Sequence, residues 1–139
     1  MKHLTLILRI VVAVLLGINA YIHFVLAVPF IGNAGTLFSQ GDLFRLQGIL
    51  NIVAAVLVIV WRNKISAIVA ALIALGGLFA VVASVFFPLD MSMLGGPVIF
   101  EPSWYDQKII STIAQALAAA LAAVLFVRSR KRVDAAARD

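Results

Sequence analysis

The chain contains no cysteine, and only 12 % of its 139 residues are charged. The first absence excludes disulfide stapling, thiol redox chemistry and thiolate metal sites together. The second excludes an ordinary soluble surface, since soluble domains carry about 25 % charged residues. Hydrophobic residues reach 64 % and the mean hydropathy is +1.13. A soluble domain this small has too little interior to hide so much apolar surface, whereas a bilayer accepts lipid-facing residues as apolar as core ones. Catalytic signatures are missing too. His23, Asp42, Asp90 and Glu101 sit in no nucleophile motif, which disfavours hydrolysis. No carboxylate falls inside an apolar run, so the acidic proton-coupling residue of a small exporter is lacking. The net charge of +5 comes from basic residues at the ends of apolar runs. That placement suits a membrane protein rather than a nucleic-acid binder.

Four apolar segments are present, at 7–28, 43–61, 65–87 and 109–127. Each approaches or exceeds the ~18–20 residues that cross a hydrocarbon core of about 30 Å. Backbone in lipid must satisfy its own hydrogen bonds, so each segment is expected to be helical. The expected fold is therefore an all-α, polytopic bundle of four transmembrane helices. Residues 1–127 form the bundle and 128–139 a basic cytoplasmic tail, helical or loose. The first segment follows Lys2 and Arg9 as a signal peptide would, but its apolar run from Ile10 to Val28 exceeds the roughly 7–15 residues of a signal h-region. It reads as a retained helix.

Orientation follows from the basic residues. With the N-terminus inside, Lys2, Arg9, Arg62, Lys64, Arg128, Arg130, Lys131, Arg132 and Arg138 are cytoplasmic. Only Arg45 and Lys108 of the 11 Lys and Arg then lie outside. This asymmetry predicts both termini in the cytoplasm and a multi-pass protein of the plasma (inner) membrane. The short turn Arg62-Asn63-Lys64 makes the second and third helices antiparallel neighbours. The outer segments Pro29–Asp42 and Pro88–Gln107 are longer. The second holds an apolar stretch, Met91–Phe100, that is too short to span and is expected on the membrane surface or folded over the bundle. Gly76, Ala80 and Ser84 repeat at four-residue spacing, as do Ala114, Ala118 and Ala122. Such rows allow close helix packing, either of the third helix on the fourth or of one copy on another.

Polar residues within the spans are few and concentrated in the outer half. Asn19 and His23 share a face of the first helix, and Gln47 and Asn51 share one of the second. The ~1.5 Å rise per residue places His23 and Gln47 roughly 7 Å below the outer boundary, and Asn19 and Asn51 about 13 Å below it. Ser111 and Gln115 reach similar levels on the fourth helix. Two layers result, His23/Gln47/Ser111 and Asn19/Asn51/Gln115, with Arg45 just above. Asp42, Glu101, Trp104 and Tyr105 would form an outer rim. Two readings stand. These groups are interhelical hydrogen-bonding partners, or they line an outward-facing polar pocket around His23, whose imidazole titrates near neutral pH. A soft-metal set of His23 with Met91 and Met93 is far less favoured than membrane-facing methionines. No metal or cofactor is expected.

Three segments, Asn19-Ala20-Tyr21-Ile22-His23, Gly41-Asp42-Leu43-Phe44-Arg45-Leu46-Gln47 and Phe100-Glu101-Pro102-Ser103-Trp104, resemble those of small four-helix integral membrane proteins of actinobacterial type. More distantly, the chain is similar to DoxX-like four-helix families. The resemblance implies a helical bundle in the plasma membrane and brings no substrate and no catalytic residue. The expected function is that of a non-enzymatic accessory or assembly subunit of a larger membrane complex. Its partners would be the bilayer and another membrane protein or a second copy, with no nucleic acid. The alternative is a binding protein or transporter for a lipophilic, quinone-like small molecule.

Overall fold

The computed structural model describes residues 2–137, so Arg138 and Asp139 of the expected tail lie outside the described residues. Four helices are each long and apolar enough to cross a membrane: α1 (Lys2–Ala27), α2 (Gln40–Val60), α3 (Lys64–Phe86) and α4 (Asp106–Ala136). They pack in a ring, α1 on α2, α3 on α4 and α1 on α4, with α2 and α3 touching least of the adjacent pairs. The start of α1, the end of α4 and the 61–63 turn share one end of the bundle, the terminal end. The two long connections form the other, the loop end.

The helices exceed the apolar segments because hydropathy marks lipid contact, not helix ends. α1 begins more than a turn earlier than expected, at Lys2. α4 continues through the basic segment to Ala136, and its 31 residues span roughly 46 Å at 1.5 Å each. Caps fix the starts of α2 and α3. Ser39 Oγ accepts from the Asp42 amide at 3.1 Å while Asp42 Oδ2 accepts from the Ser39 amide at 2.9 Å, a capping box. Asn63 Oδ1 accepts from the Ser66 amide at 3.0 Å.

The burial pattern inverts that of a soluble protein. Leu72, Phe79, Tyr21 and Val60 are among many large apolar side chains left exposed, while Asn19, Asn51 and Gln115 are fully buried. Exposed apolar surface on this scale calls for a covering, and the four helices that carry it are long and apolar enough to cross a membrane. The packed apolar core lies toward the terminal end, where Val12, Leu16, Ala54 and Val58 meet Ala67, Ala70, Ala74, Ala118, Ala122 and Leu125. Alanines on α3 and α4 bring these backbones close. The row Ala114, Ala118 and Ala122 is buried as part of this contact. Gly76 and Ala80 are exposed, because α3 turns Ala67, Ala70, Ala74 and Gly77 inward instead.

The stretch around Met91–Phe100 folds over the loop end. Leu89–Asp90 (β1) pairs antiparallel with Val98–Ile99 (β2), a minimal ladder in an otherwise helical chain. A 3-10 turn at Ser92–Leu94 ends on Gly95 at φ 79°, a left-handed conformation that favours glycine. This hairpin interlocks with the other connection: Leu37 N donates to Gly95 O at 2.8 Å, and Asn33 Nδ2 donates to Val98 O at 3.0 Å. Glu101 N donates to Ser84 O at 2.8 Å, tying the cap to the last turns of α3.

Candidate functional site

At the terminal end α2 and α3 are joined by only Trp61–Asn63, and they diverge toward the loop end. Towards the loop end they are cross-linked by Gln47 Nε2, which donates to Ile73 O on α3 at 3.2 Å. Gly77, one turn further along α3, leaves room for it. A Cβ there would stand 2.5 Å from Gln47 Nε2 and 2.8 Å from Gln115 Nε2. Beyond this point the helices enclose a cavity of about 430 Å³, within the roughly 300–1,000 Å³ range of small-molecule sites.

Leu43, Leu46 and Leu50 of α2 and Gly76, Phe79 and Ala80 of α3 wall the cavity. Leu46 and Phe79 are also exposed on the outside of the bundle, so the mouth lies between α2 and α3 and faces the same medium as the apolar surface. Leu89, Met91 and Ile99 of the hairpin form the roof. His23 on α1 and Ser111 on α4 close the back.

His23 is 4 % exposed, with Nδ1 2.8 Å from Asn19 O. A carbonyl only accepts, so in the neutral ring Nδ1 carries the proton and Nε2 keeps the lone pair. The ring packs edge-on to Phe44, with centroids 5.6 Å apart. Behind it, Asn19 Oδ1 accepts from Ser111 Oγ at 2.5 Å and from Gln115 Nε2 at 3.1 Å, joining α1 to α4. Asn51 instead donates to Gln47 O of its own helix at 2.7 Å. Asn19 Nδ2, Asn51 Oδ1 and Gln115 Oε1 are buried without a hydrogen-bond partner among the described residues. The expected layers are thus redrawn: Ser111 and Gln115 both converge on Asn19, and Asn19 and Asn51 do not bond each other.

A second polar group sits under the roof. The Glu101 carboxylate accepts from Gln40 Nε2 and from Tyr105 Oη, the latter at 3.3 Å. Lys108 Nζ lies 3.7 Å from Glu101 Oε2 and donates to the Glu101 carbonyl. It also stands 5.3 Å from the Trp104 ring centroid, a favourable cation–π placement. Lys108 is only 3 % exposed, so its charge is compensated by Glu101. Burial and then the Glu101 carboxylate push the Tyr105 pKa above its ordinary value, which keeps the hydroxyl protonated as a donor.

Of the residues anticipated from sequence, His23, Gln47, Ser111, Glu101 and Tyr105 line the cavity. Asn19, Asn51 and Gln115 lie buried behind it. Arg45 does not line it: it is half exposed and pairs with Asp42 at 3.0 Å. Asp42 is likewise outside, spent on the capping box, and Trp104 contributes through Lys108. Met93 is 99 % exposed while Met91 is in the roof, so the two methionines do not converge on His23. No group of three or more His, Asp or Glu able to hold a metal occurs among the described residues. Gln40 and Lys108 are site residues that pattern reading missed. The one available signal was the opposite charge of Glu101 and Lys108 within the same short stretch of chain.

The polar bonds behind the cavity differ in what they hold together. Asn19→Leu strands both Ser111 and Gln115, so its expected cost is about 2 kcal/mol, the upper end for interhelical bonds in a membrane. Asn51→Leu removes only a bond within α2 and an unpartnered oxygen, and should be close to neutral. Melting temperatures of the two variants in mild detergent check this. Equal losses would mean that the α1–α4 bonds contribute nothing special.

Fold and site together define a class: a four-helix bundle of membrane-spanning length with a capped cavity that opens sideways between two helices. No family model, curated protein or solved structure matches the chain.

Proposed function

We propose that the protein is a multi-pass membrane protein, with both termini cytoplasmic, that binds a lipophilic small molecule carrying a polar head, such as a quinone. The observation that supports this most directly is the cavity's polarity gradient. Its walls toward the mouth are Leu43, Leu46, Leu50, Phe79 and Ala80, and its inner end presents His23, Gln47, Ser111 and the Glu101–Tyr105 pair. An apolar tail would lie between α2 and α3, while a carbonyl or hydroxyl head meets the donors and acceptors within. The segments carrying the resemblance to small four-helix and DoxX-like proteins bound this cavity: they contribute His23, Leu43, Phe44, Gln47 and Glu101 to its lining. The bilayer reading of the apolar exterior supplies the ligand's route.

Binding is preferred here to the role of accessory subunit. That role drew on small-residue rows available for docking. One row, Ala114, Ala118 and Ala122, is buried within the bundle; of the other, Ser84 is buried, Gly76 and Ala80 are exposed, and all three border the cavity.

His23→Gln tests the reading. A glutamine keeps a donor and an acceptor at this depth but not the imidazole, so the fold should hold. Quenching of Trp104 fluorescence by a short-tailed quinone should weaken by about tenfold in Kd, or 1.4 kcal/mol, with an unchanged melting temperature. Unaltered binding would remove His23 from the site. Topology is tested separately. Reporters fused after Asp139 and within 62–64 should register as cytoplasmic, and one within 91–100 as external. An external C-terminus would overturn the orientation.

A further inference from the structure

A second cavity, of about 470 Å³, lies at the terminal end of the bundle, away from the first. Lys2 and Arg9 of α1, Arg62 of the turn, Lys64 of α3 and Arg128 of α4 all line it. Among the described residues, none that lines it is acidic. Asp134 is exposed further along α4 and does not reach it. Cations gathered around one space repel one another unless an anion sits between them.

We infer that this cavity binds the phosphate headgroup of an anionic phospholipid. Three observations bear on it besides the charge. First, Arg9 is built into the fold rather than waving in solvent: it is 3 % exposed and donates to Val58 O at 2.9 Å. Second, the cavity takes in the start of α3, where Lys64 and Ile65 follow the Asn63 cap. Amides in a helix's first turn lack intrahelical partners, and the dipole there is positive. Third, Leu6 and Ile65 are on its lining and are also exposed outside the bundle. A phosphate on the cations would leave acyl chains running along these two residues into the surrounding lipid. Basic pockets between transmembrane helices on the cytoplasmic side are suited to anionic headgroups in this way. The inference uses the membrane-spanning reading and its orientation, but not the quinone-like ligand of the first cavity.

The full-length protein in mild detergent is the sample, and the readout is the rise in melting temperature on adding lipid. Short-chain phosphatidylglycerol should stabilise it at concentrations about tenfold below those needed for phosphatidylcholine, a difference of 1.4 kcal/mol. Inorganic phosphate alone should give no comparable rise. The double variant Arg62→Gln/Lys64→Gln should lose the phosphatidylglycerol shift. Arg130→Gln/Lys131→Gln removes the same charge from exposed positions off the cavity and should retain it. Lys2→Gln, which leaves the 61–63 turn intact, should reduce the shift if the first double variant folds poorly. Equal losses in the two double variants would overturn the site in favour of diffuse attraction by a basic end. An equal response to free phosphate would overturn the assignment to a lipid.

Discussion

Gly76→Phe is expected to abolish binding in the loop-end cavity while leaving the fold as stable as before, or more so. Gly76 lines that cavity, and a Cβ placed on it meets nothing within 4 Å. A ring there has open space at the cavity's edge, the space the proposed ligand would use. Replacing a mid-helix glycine also removes a backbone-entropy penalty of roughly 0.5–1 kcal/mol. Loss of quinone affinity should be at least about 100-fold, or 2.7 kcal/mol. The neighbouring residue gives the contrast. At Gly77 an added Cβ would press on Gln47 and Gln115 at 2.5 and 2.8 Å, so Gly77→Ala should lower stability by about 1–3 kcal/mol, as overpacking does. Quinone quenching and melting temperature, measured on both variants, separate an occupied cavity from a merely tolerated one. Normal quinone binding by a folded Gly76→Phe protein would exclude the cavity as the site.

The two adjacent glycines show where sequence reading ends. Gly76, with Ala80 and Ser84, was legible as a small-residue row suited to packing. Nothing in the spacing tells which of two neighbouring glycines turns inward, and α3 turned Gly77. The four helices themselves were legible because lipid imposes a length and an apolar composition on any spanning segment. The relative levels of some polar residues along the helices followed from the fixed rise per residue. His23, Gln47 and Ser111 do reach one cavity. Azimuth was less well read. Arg45 stands two residues from Gln47, about 200° around the helix at 100° per residue, so periodicity alone already argued that the two face opposite ways. The bonding partners of Asn19 and Asn51 could not be read. Matched depth does not distinguish a bond to the next helix from one to the residue's own backbone, and Asn51 took the latter. The cap over the cavity was expected only as an apolar stretch without a span. Its hairpin depends on hydrogen bonds from the Leu37 amide and the Asn33 side chain, far away in the chain.

Arg9→Met should be the most destabilising of the substitutions considered, at about 3 kcal/mol. By sequence Arg9 is one more basic residue flanking a span. In the structure, α1 starts early enough to carry it inside, where Nη1 donates to Val58 O at 2.9 Å and lies 3.5 Å from Trp61 O and 3.4 Å from Ser66 Oγ. Val58 is in the last turn of α2, whose carbonyls lack intrahelical donors and carry the negative end of the dipole. Methionine fills a similar volume but donates nothing. It forfeits a charge-assisted bond of about 1.5–3 kcal/mol and leaves a buried carbonyl unpartnered, at about 1–3 kcal/mol. Arg9→Lys should recover part of this, because one ammonium keeps the charge but not the planar fork of donors. The position gives the loss a functional reading. Arg9 ties the end of α2 to the start of α3, at the opposite end of those helices from the loop-end cavity. Slackening that joint should reach the far end, so Arg9→Met is expected to weaken quinone binding as well as lower the melting temperature, with Arg9→Lys intermediate in both. If stability fell and binding did not, the joint would be holding the bundle without setting the width of the cavity.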